Sequence, residues 1–200
     1  MIDIDGAVYE GRPGDMDMAT KYLASVTKKA HYKGNLAGAA KGADVLIGVS
    51  GPRLFTKDIM ESMAPKAVVF ALANPVPETT YEEAKAAGVL VAGTGRSDAP
   101  NQVNNVCVFP GIFRGALAVR ASAITEEMKV AAVRAIAGLI PEDELREDYV
   151  VPGAFDRRIV PAIAGAVAKV AMSAGIARLK REVQDIEKEA AERVLHNLNA

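Results

Sequence analysis

Gly42-Ala43-Asp44-Val45-Leu46-Ile47-Gly48-Val49-Ser50-Gly51 is the stretch on which the fold turns. Residues 43–49 form an apolar run set off by Gly42 and Gly48, the pattern of a fully buried strand in a parallel sheet. The rhythm repeats downstream. Residues 56–63 read as a helix, 67–72 as a strand, 80–87 as a helix and 89–92 as another strand. Strands alternating with helices imply right-handed βαβ crossovers, so the chain is expected to be α/β, with an open parallel sheet and helices on both faces.

Upstream, residues 1–4 read as a strand ending at the turn signal Asp5-Gly6, and residues 16–26 have helical spacing with Asp15 as N-cap. From Val106 onward helical periodicity takes over, with helices expected over 113–120, 126–139 and 161–174. The acid-rich stretch 141–148 reads as a solvated loop, because it has no histidine and no metal-ligand spacing. In the tail, charges recur every three or four residues around a thin stripe of Val183, Ile186, Ala190 and Val194. That stripe predicts a helix folded back on its own domain, with binding to a partner subunit as the alternative.

The balance of 24 Lys plus Arg against 25 Asp plus Glu leaves a net charge of -1, which gives no broad attraction to nucleic acid or anionic lipid. Glycine, proline, arginine or lysine breaks every apolar stretch before the ~20 residues a membrane helix needs, and residues 1–5 are too acidic and short for a signal peptide. No nucleic-acid or membrane partner is expected, and the default location is cytoplasmic. The single Cys107 excludes an internal disulfide framework and a cysteine-based zinc site; inside its apolar run it reads as a small hydrophobe. His31 and His196 have no supporting partners and read as surface residues.

In an open parallel sheet, ligands bind at the carboxyl ends of the strands. Asp3, at the end of the first strand, can accept from adenosine ribose hydroxyls, or simply form its turn; nearby Arg12 could instead meet a 2′-phosphate. Gly48-Val49-Ser50-Gly51 lets backbone approach a ligand closely and exposes amide donors, although a tight turn explains it equally well. Asn74-Pro75 offers a polar amide just after a buried strand, able to donate to a carboxylate or carboxamide and to accept from a hydroxyl; the plainer reading is an Asx turn. Asn104-Asn105 brings the same chemistry to the entry of a helix, where an anion is favoured, or else caps that helix. Arg96 reads as paired with Asp98.

The run Ala71-Leu72-Ala73-Asn74-Pro75-Val76-Pro77-Glu78, followed by Thr94-Gly95-Arg96-Ser97-Asp98-Ala99-Pro100-Asn101-Gln102-Val103-Asn104-Asn105-Val106-Cys107-Val108-Phe109-Pro110-Gly111, closely resembles the bacterial and archaeal malic enzymes. Asp3-Ile4-Asp5-Gly6, Gly11-Arg12 and Val151-Pro152 support the likeness, which covers roughly residues 1–177 and leaves the charged helix 178–200 as an addition. The resemblance implies an incomplete Rossmann-like open parallel sheet flanked by helices, with a helical C-terminal portion. It further implies oxidative decarboxylation of malate to pyruvate and carbon dioxide with NAD or NADP and a divalent Mg or Mn ion. Carried over residue by residue, Asn74 and Asn105 look like the family's asparagines that contact substrate or the nicotinamide end of the cofactor, with Asn104 as their neighbour, and Asp3 looks like the acid near the adenosine ribose; the expected cofactor contacts are thus Asp3, Ser50, Asn74 and Asn104, and the expected substrate contacts Asn74 and Asn105. The family's base lysine, catalytic tyrosine, metal-ligating acids and Gly-rich phosphate loop have no counterpart here, so no residue receives a catalytic or metal-ligating role. The expectation is a truncated cofactor domain, inactive alone, that forms a homo-oligomer or associates with the catalytic portion. The alternatives are a non-catalytic interaction module or split subunit, and a different hydroxy- or amino-acid dehydrogenase of similar fold.

Overall fold

The computed structural model describes residues 1–27 and 32–198, which divide into two compact units, Met1–Ala92 and Gly93–Ala200. His31 lies outside the described residues. The chain opens on a two-stranded antiparallel pair, Ile2–Asp3 (β1) with Gly6–Ala7 (β2), in register Ile2 to Ala7 and Asp3 to Gly6. The first strand is thus part of a hairpin and not of the parallel sheet, because Asp5-Gly6 turns the chain straight back. Helix α1 follows over Met18–Thr27. Its cap is Asp17 rather than the expected Asp15: the Asp17 carboxylate accepts the Thr20 amide at 2.6 Å, satisfying a donor in the first turn.

Helix α2 (Leu36–Ala40), capped by Asn35, leads into the decisive apolar run, which forms β3 (Val45–Gly48). Helix α3 (Lys57–Glu61), β4 (Val68–Ala71), α4 (Tyr81–Ala86) and β5 (Val91–Thr94) continue the alternation. The sheet order is β3-β4-β5, with β3 parallel to β4 and Val45 opposite Val68 through to Gly48 opposite Ala71. β5 begins two residues later than the sequence predicts, because the amide of Val89 is bonded back to Ala84 of α4.

Val69 and Ala71 of β4 bury against Ala40, Met60 and Ala84, the inward positions of α2, α3 and α4, and against Met63 just after α3. β3 departs from the fully buried strand expected of it. It is the edge of the order, and its Val45 and Ile47 remain 53% and 58% exposed because the helices of this unit cover the opposite face.

In the second unit a 3-10 turn, Asn105–Cys107, runs into α5 (Phe109–Ala118), followed by α6 (Glu126–Ala137), α7 (Ile159–Ser173) and α8 (Val183–Leu198). α5 starts four residues earlier than predicted because Pro110 sits in its first turn, where a missing N–H costs nothing. α7 is the spine: α5, α6 and α8 all pack on it, and Ile163, Ala164, Val167, Ala168 and Ala171 are fully buried. Burying Ile163 and Val167 contributes roughly 2 kcal/mol each, and each alanine methyl less than half of that. The charged tail folds back on its own unit, as expected. Ile186 and Ala190 of α8 are buried against this core, and Glu189 accepts from Arg114 of α5 at 3.0 Å and also pairs with Arg181. Cys107 is buried in the same core, where burial pushes its thiol up and so disfavours the thiolate. Among the described residues no helix is long and apolar enough to cross a membrane.

Candidate functional site

In the first unit the loops that leave β3 and β4 at their carboxyl ends are held by one buried carboxylate. Glu78 is fully buried; its Oε1 accepts the backbone amide of Ser50 at 2.8 Å and its Oε2 that of Ala73 at 3.0 Å. Its backbone carbonyl accepts the amide of Phe55 at 3.0 Å, and that of Pro77 accepts the amide of Arg53 at 3.1 Å, so segment 53–55 is tied to 77–78 as well. Gly48 is glycine for this reason. A Cβ there would fall 2.5 Å from Cδ of Glu78 and 2.6 Å from Cζ of Phe55.

Within Gly48-Val49-Ser50-Gly51, read from the sequence as a loop offering amides to a ligand or as a tight turn, one amide is spent inside the protein. The Ser50 amide points inward to Glu78, and the space freed by Gly48 is filled by a side chain of the protein. What Ser50 leaves outside is its exposed hydroxyl, which has no hydrogen-bond partner among the described residues. Asn74 follows Ala73 directly and precedes Pro75 through a cis peptide bond. Its side chain is exposed and makes no hydrogen bond among the described residues, so it does not form the Asx turn that was the plainer reading. An amide held out at a strand's carboxyl end with both its functions unspent is what a ligand contact requires.

Asp3 and Arg12 form the other polar feature of this unit. Asp3 Oδ1 accepts from Arg12 Nη1 at 2.7 Å and from the amide of Asp5 at 2.9 Å. Arg12, read from the sequence as a possible 2′-phosphate partner, is instead turned onto Asp3 with only 9% of its side chain exposed. The guanidinium holds the Asp3 carboxyl below the usual carboxylate range. A carboxyl lowered in the folded state contributes stability above its unfolded pKa, so this pair is intact at neutral pH and is lost only as pH falls below about 4. The second oxygen of Asp3 accepts nothing from the described residues and is the one available to a hydroxyl.

In the second unit, Thr94 at the end of β5 is buried; its carbonyl accepts the amide of Val103 at 2.8 Å, and its hydroxyl accepts that of Arg96 at 3.2 Å. Arg96 is found on Asp98, with Nε to Oδ1 at 2.8 Å. Asn104 caps the 3-10 turn. Its Oδ1 accepts the amide of Val106 at 3.0 Å, and its Nδ2 reaches the carbonyl of Gly95 at 3.4 Å, so both ends of this amide are used within the loop. Asn105 is the exposed member of the pair, and its side chain has no partner among the described residues. The two asparagines therefore divide the roles, one shaping the loop and one left to face outward.

Two residues that the sequence reading left without a role matter to these loops. Glu78 was visible only as one acid beyond two prolines, and a carboxylate at that spacing is equally compatible with the surface. Asn101, buried with φ +52°, donates through Nδ2 to the carbonyl of Glu147 and accepts the amide of Val150 through Oδ1, both at 2.8 Å. It fastens the acidic segment 142–148 to the loop carrying Asn104 and Asn105. Its signal was its type, since asparagine tolerates a left-handed backbone better than most residues.

Residues 1–172 match the family model described as "Malic enzyme, NAD binding domain". The chain is 53% identical to the bifunctional malic/malolactic enzyme of Bacillus subtilis, over 93% of its own length and 45% of that relative's. It is 46% identical to the NADP-dependent malic enzyme of Haemophilus influenzae, over 88% of this chain and 25% of that one. The crystal structure of the Entamoeba histolytica malic enzyme superposes on all of this chain and 43% of its own, with a TM-score of 0.90 at 37% identity. The chain thus spans less than half the length of the relatives it matches. Its three-stranded α/β sheet with flanking helices is shared with those structures.

Proposed function

Because the chain belongs to the family of malic enzyme NAD-binding domains, we propose that it supplies the cofactor-facing and substrate-facing loops of an enzyme that oxidatively decarboxylates malate to pyruvate and carbon dioxide. The observation that carries this reading is Asn74, an exposed amide with both functions unspent at the carboxyl end of β4. Residues 1–177 act as the cofactor-binding portion, which the family match over residues 1–172 supports, and the charged tail that follows contributes helix α8, Val183–Leu198.

The donors and acceptors present fit a nicotinamide dinucleotide. In the first unit Asp3 takes a ribose hydroxyl on its unoccupied oxygen, Ser50 offers its hydroxyl, and Asn74 meets the carboxamide or the substrate; in the second unit, taken by itself, Asn105 offers its unspent amide to a substrate carboxylate. Asn104 serves the cofactor through the loop it caps. The bound dinucleotide is the hydride acceptor; the chain's own task is to orient it. A divalent ion does not fit these residues, since no group of three or more His, Cys, Asp or Glu among those described is placed to hold one. In this reading Mg or Mn, and the acid-base groups, belong to the rest of a cytoplasmic, oligomeric enzyme, and the 200 residues alone do not turn malate over.

Mixing the purified chain with malate, Mn and NAD or NADP, while titrating NADH by fluorescence, tests both halves of the proposal. Saturable NADH binding without turnover is expected, and appreciable turnover would overturn the assignment of catalysis elsewhere. The exposed edge strand β3 favours a second reading, a non-catalytic module that pairs with another chain. Self-association without NADH binding would select it.

The Asp3–Arg12 pair supports NAD over NADP. A 2′-phosphate would meet the Asp3 carboxylate at close range, while the cation that could offset it is buried and already neutralised. NADH is therefore expected to bind more tightly than NADPH. Asp3→Ala should weaken NADH by about fivefold, the scale of one lost hydrogen bond, and narrow the gap by freeing Arg12. Wild-type protein that prefers NADPH would refute the argument.

A further inference from the structure

Glu78 is a carboxylate with no exposure and, among the described residues, no ion-pair partner; it is held by two backbone amides from the ends of neighbouring strands. Burying such a group is costly, and the space beside Gly48 and Phe55 could have been filled by an aliphatic side chain without that cost. What an aliphatic residue could not do is bond both loops at once. The two straps differ in reach along the chain, Ala73 lying five residues from Glu78 and Ser50 twenty-eight. One carboxylate therefore sets the β3 loop and the β4 loop relative to each other, and the second strap falls on the residue immediately before Asn74.

We propose that Glu78 is a positioning residue for the ligand-facing loops: its carboxylate fixes the Ser50 and Ala73 amides and thereby the direction in which Asn74 presents its side chain. The inference rests on the reading of Asn74 and Ser50 as ligand contacts, but its structural half stands without any ligand. Glu78→Gln keeps the size and replaces one acceptor by an NH2 that faces a backbone N–H, so one strap fails. Glu78→Asp keeps the charge and shortens the arm, so it spans one loop but not both.

The test is a set of nitrogen-15 spectra of the full chain without ligand, for wild type and both variants, joined to NADH titrations of each with and without Asn74→Ala. In Glu78→Gln, exchange of the Ser50 or Ala73 amide should accelerate about tenfold, and the backbone amide signal of Asn74, next to the Ala73 strap, should shift and broaden. NADH affinity should fall about fivefold, and that fall should be clearly smaller in the Asn74→Ala background, because only the part that acts through the Ser50 loop is left to position. Asn74 signals that stay in place, or an equal loss of affinity in both backgrounds, would overturn the proposal. So would failure of both Glu78 variants to fold, which would make Glu78 a general core residue. Wild-type chain that does not bind NADH counts against the proposed function alone, and the ligand-free spectra then decide the positioning role.

Discussion

Gly115→Val is expected to destabilise the protein by about 3 kcal/mol, near the upper end of what overpacking a core costs. The reason lies in how closely α5 and α7 approach. A Cβ on Gly115 would stand 2.5 Å from the carbonyl oxygen of Ala164 and 3.0 Å from its Cα, so the obstacle is backbone that cannot rotate away. One turn earlier, Gly111 admits Ile163 in the same way, its Cβ position lying 2.5 Å from that of Ile163. A valine would force the helices apart and open gaps around Ile163 and Val167, both fully buried. Leaving glycine for valine should by itself favour the helix by about 0.3 kcal/mol, so a net loss means the packing term dominates. Urea denaturation reads the effect as a lower midpoint at unchanged slope. Gly153→Ala is the control, with nothing within 4 Å of the added methyl, and should change stability by less than about 0.5 kcal/mol. A Gly115→Val protein as stable as wild type would mean that the α5–α7 contact is looser than described.

Asn74→Ala should have the opposite profile. Stability should hold within about 0.5 kcal/mol, because the side chain is exposed and bonds to nothing among the described residues. NADH affinity should fall about thirtyfold, the factor corresponding to about 2 kcal/mol when a buried ligand group loses its partner. Circular dichroism melts and fluorescence titration on the same samples separate the two. Affinity equal to wild type would remove Asn74 from the site and, with it, the observation on which the functional reading rests. Asn105→Ala should leave NADH binding nearly intact, since its assigned contact is to substrate.

The alternation of apolar runs with helical periods determined the α/β class, the parallel order around residues 43–92 and the helical second half, because those patterns reflect which residues must leave water. The quoted runs around Asn74 and Asn104-Asn105 likewise pointed to the malic enzyme family, whose NAD-binding domain model residues 1–172 match. Distance along the chain hid the rest. Nothing local shows that the hairpin takes β1 out of the sheet, that β3 is an edge whose Val45 and Ile47 stay exposed, or that Arg12 spends its charge on Asp3. Of two adjacent asparagines, only the folded loop decides that Asn104 bonds inward to Gly95 and Val106 while Asn105 remains outward. Glu78 is the clearest case. In sequence it is one acid after Pro77; in the fold it meets the Ser50 amide from twenty-eight residues away, so its role exists only once β3 and β4 lie side by side.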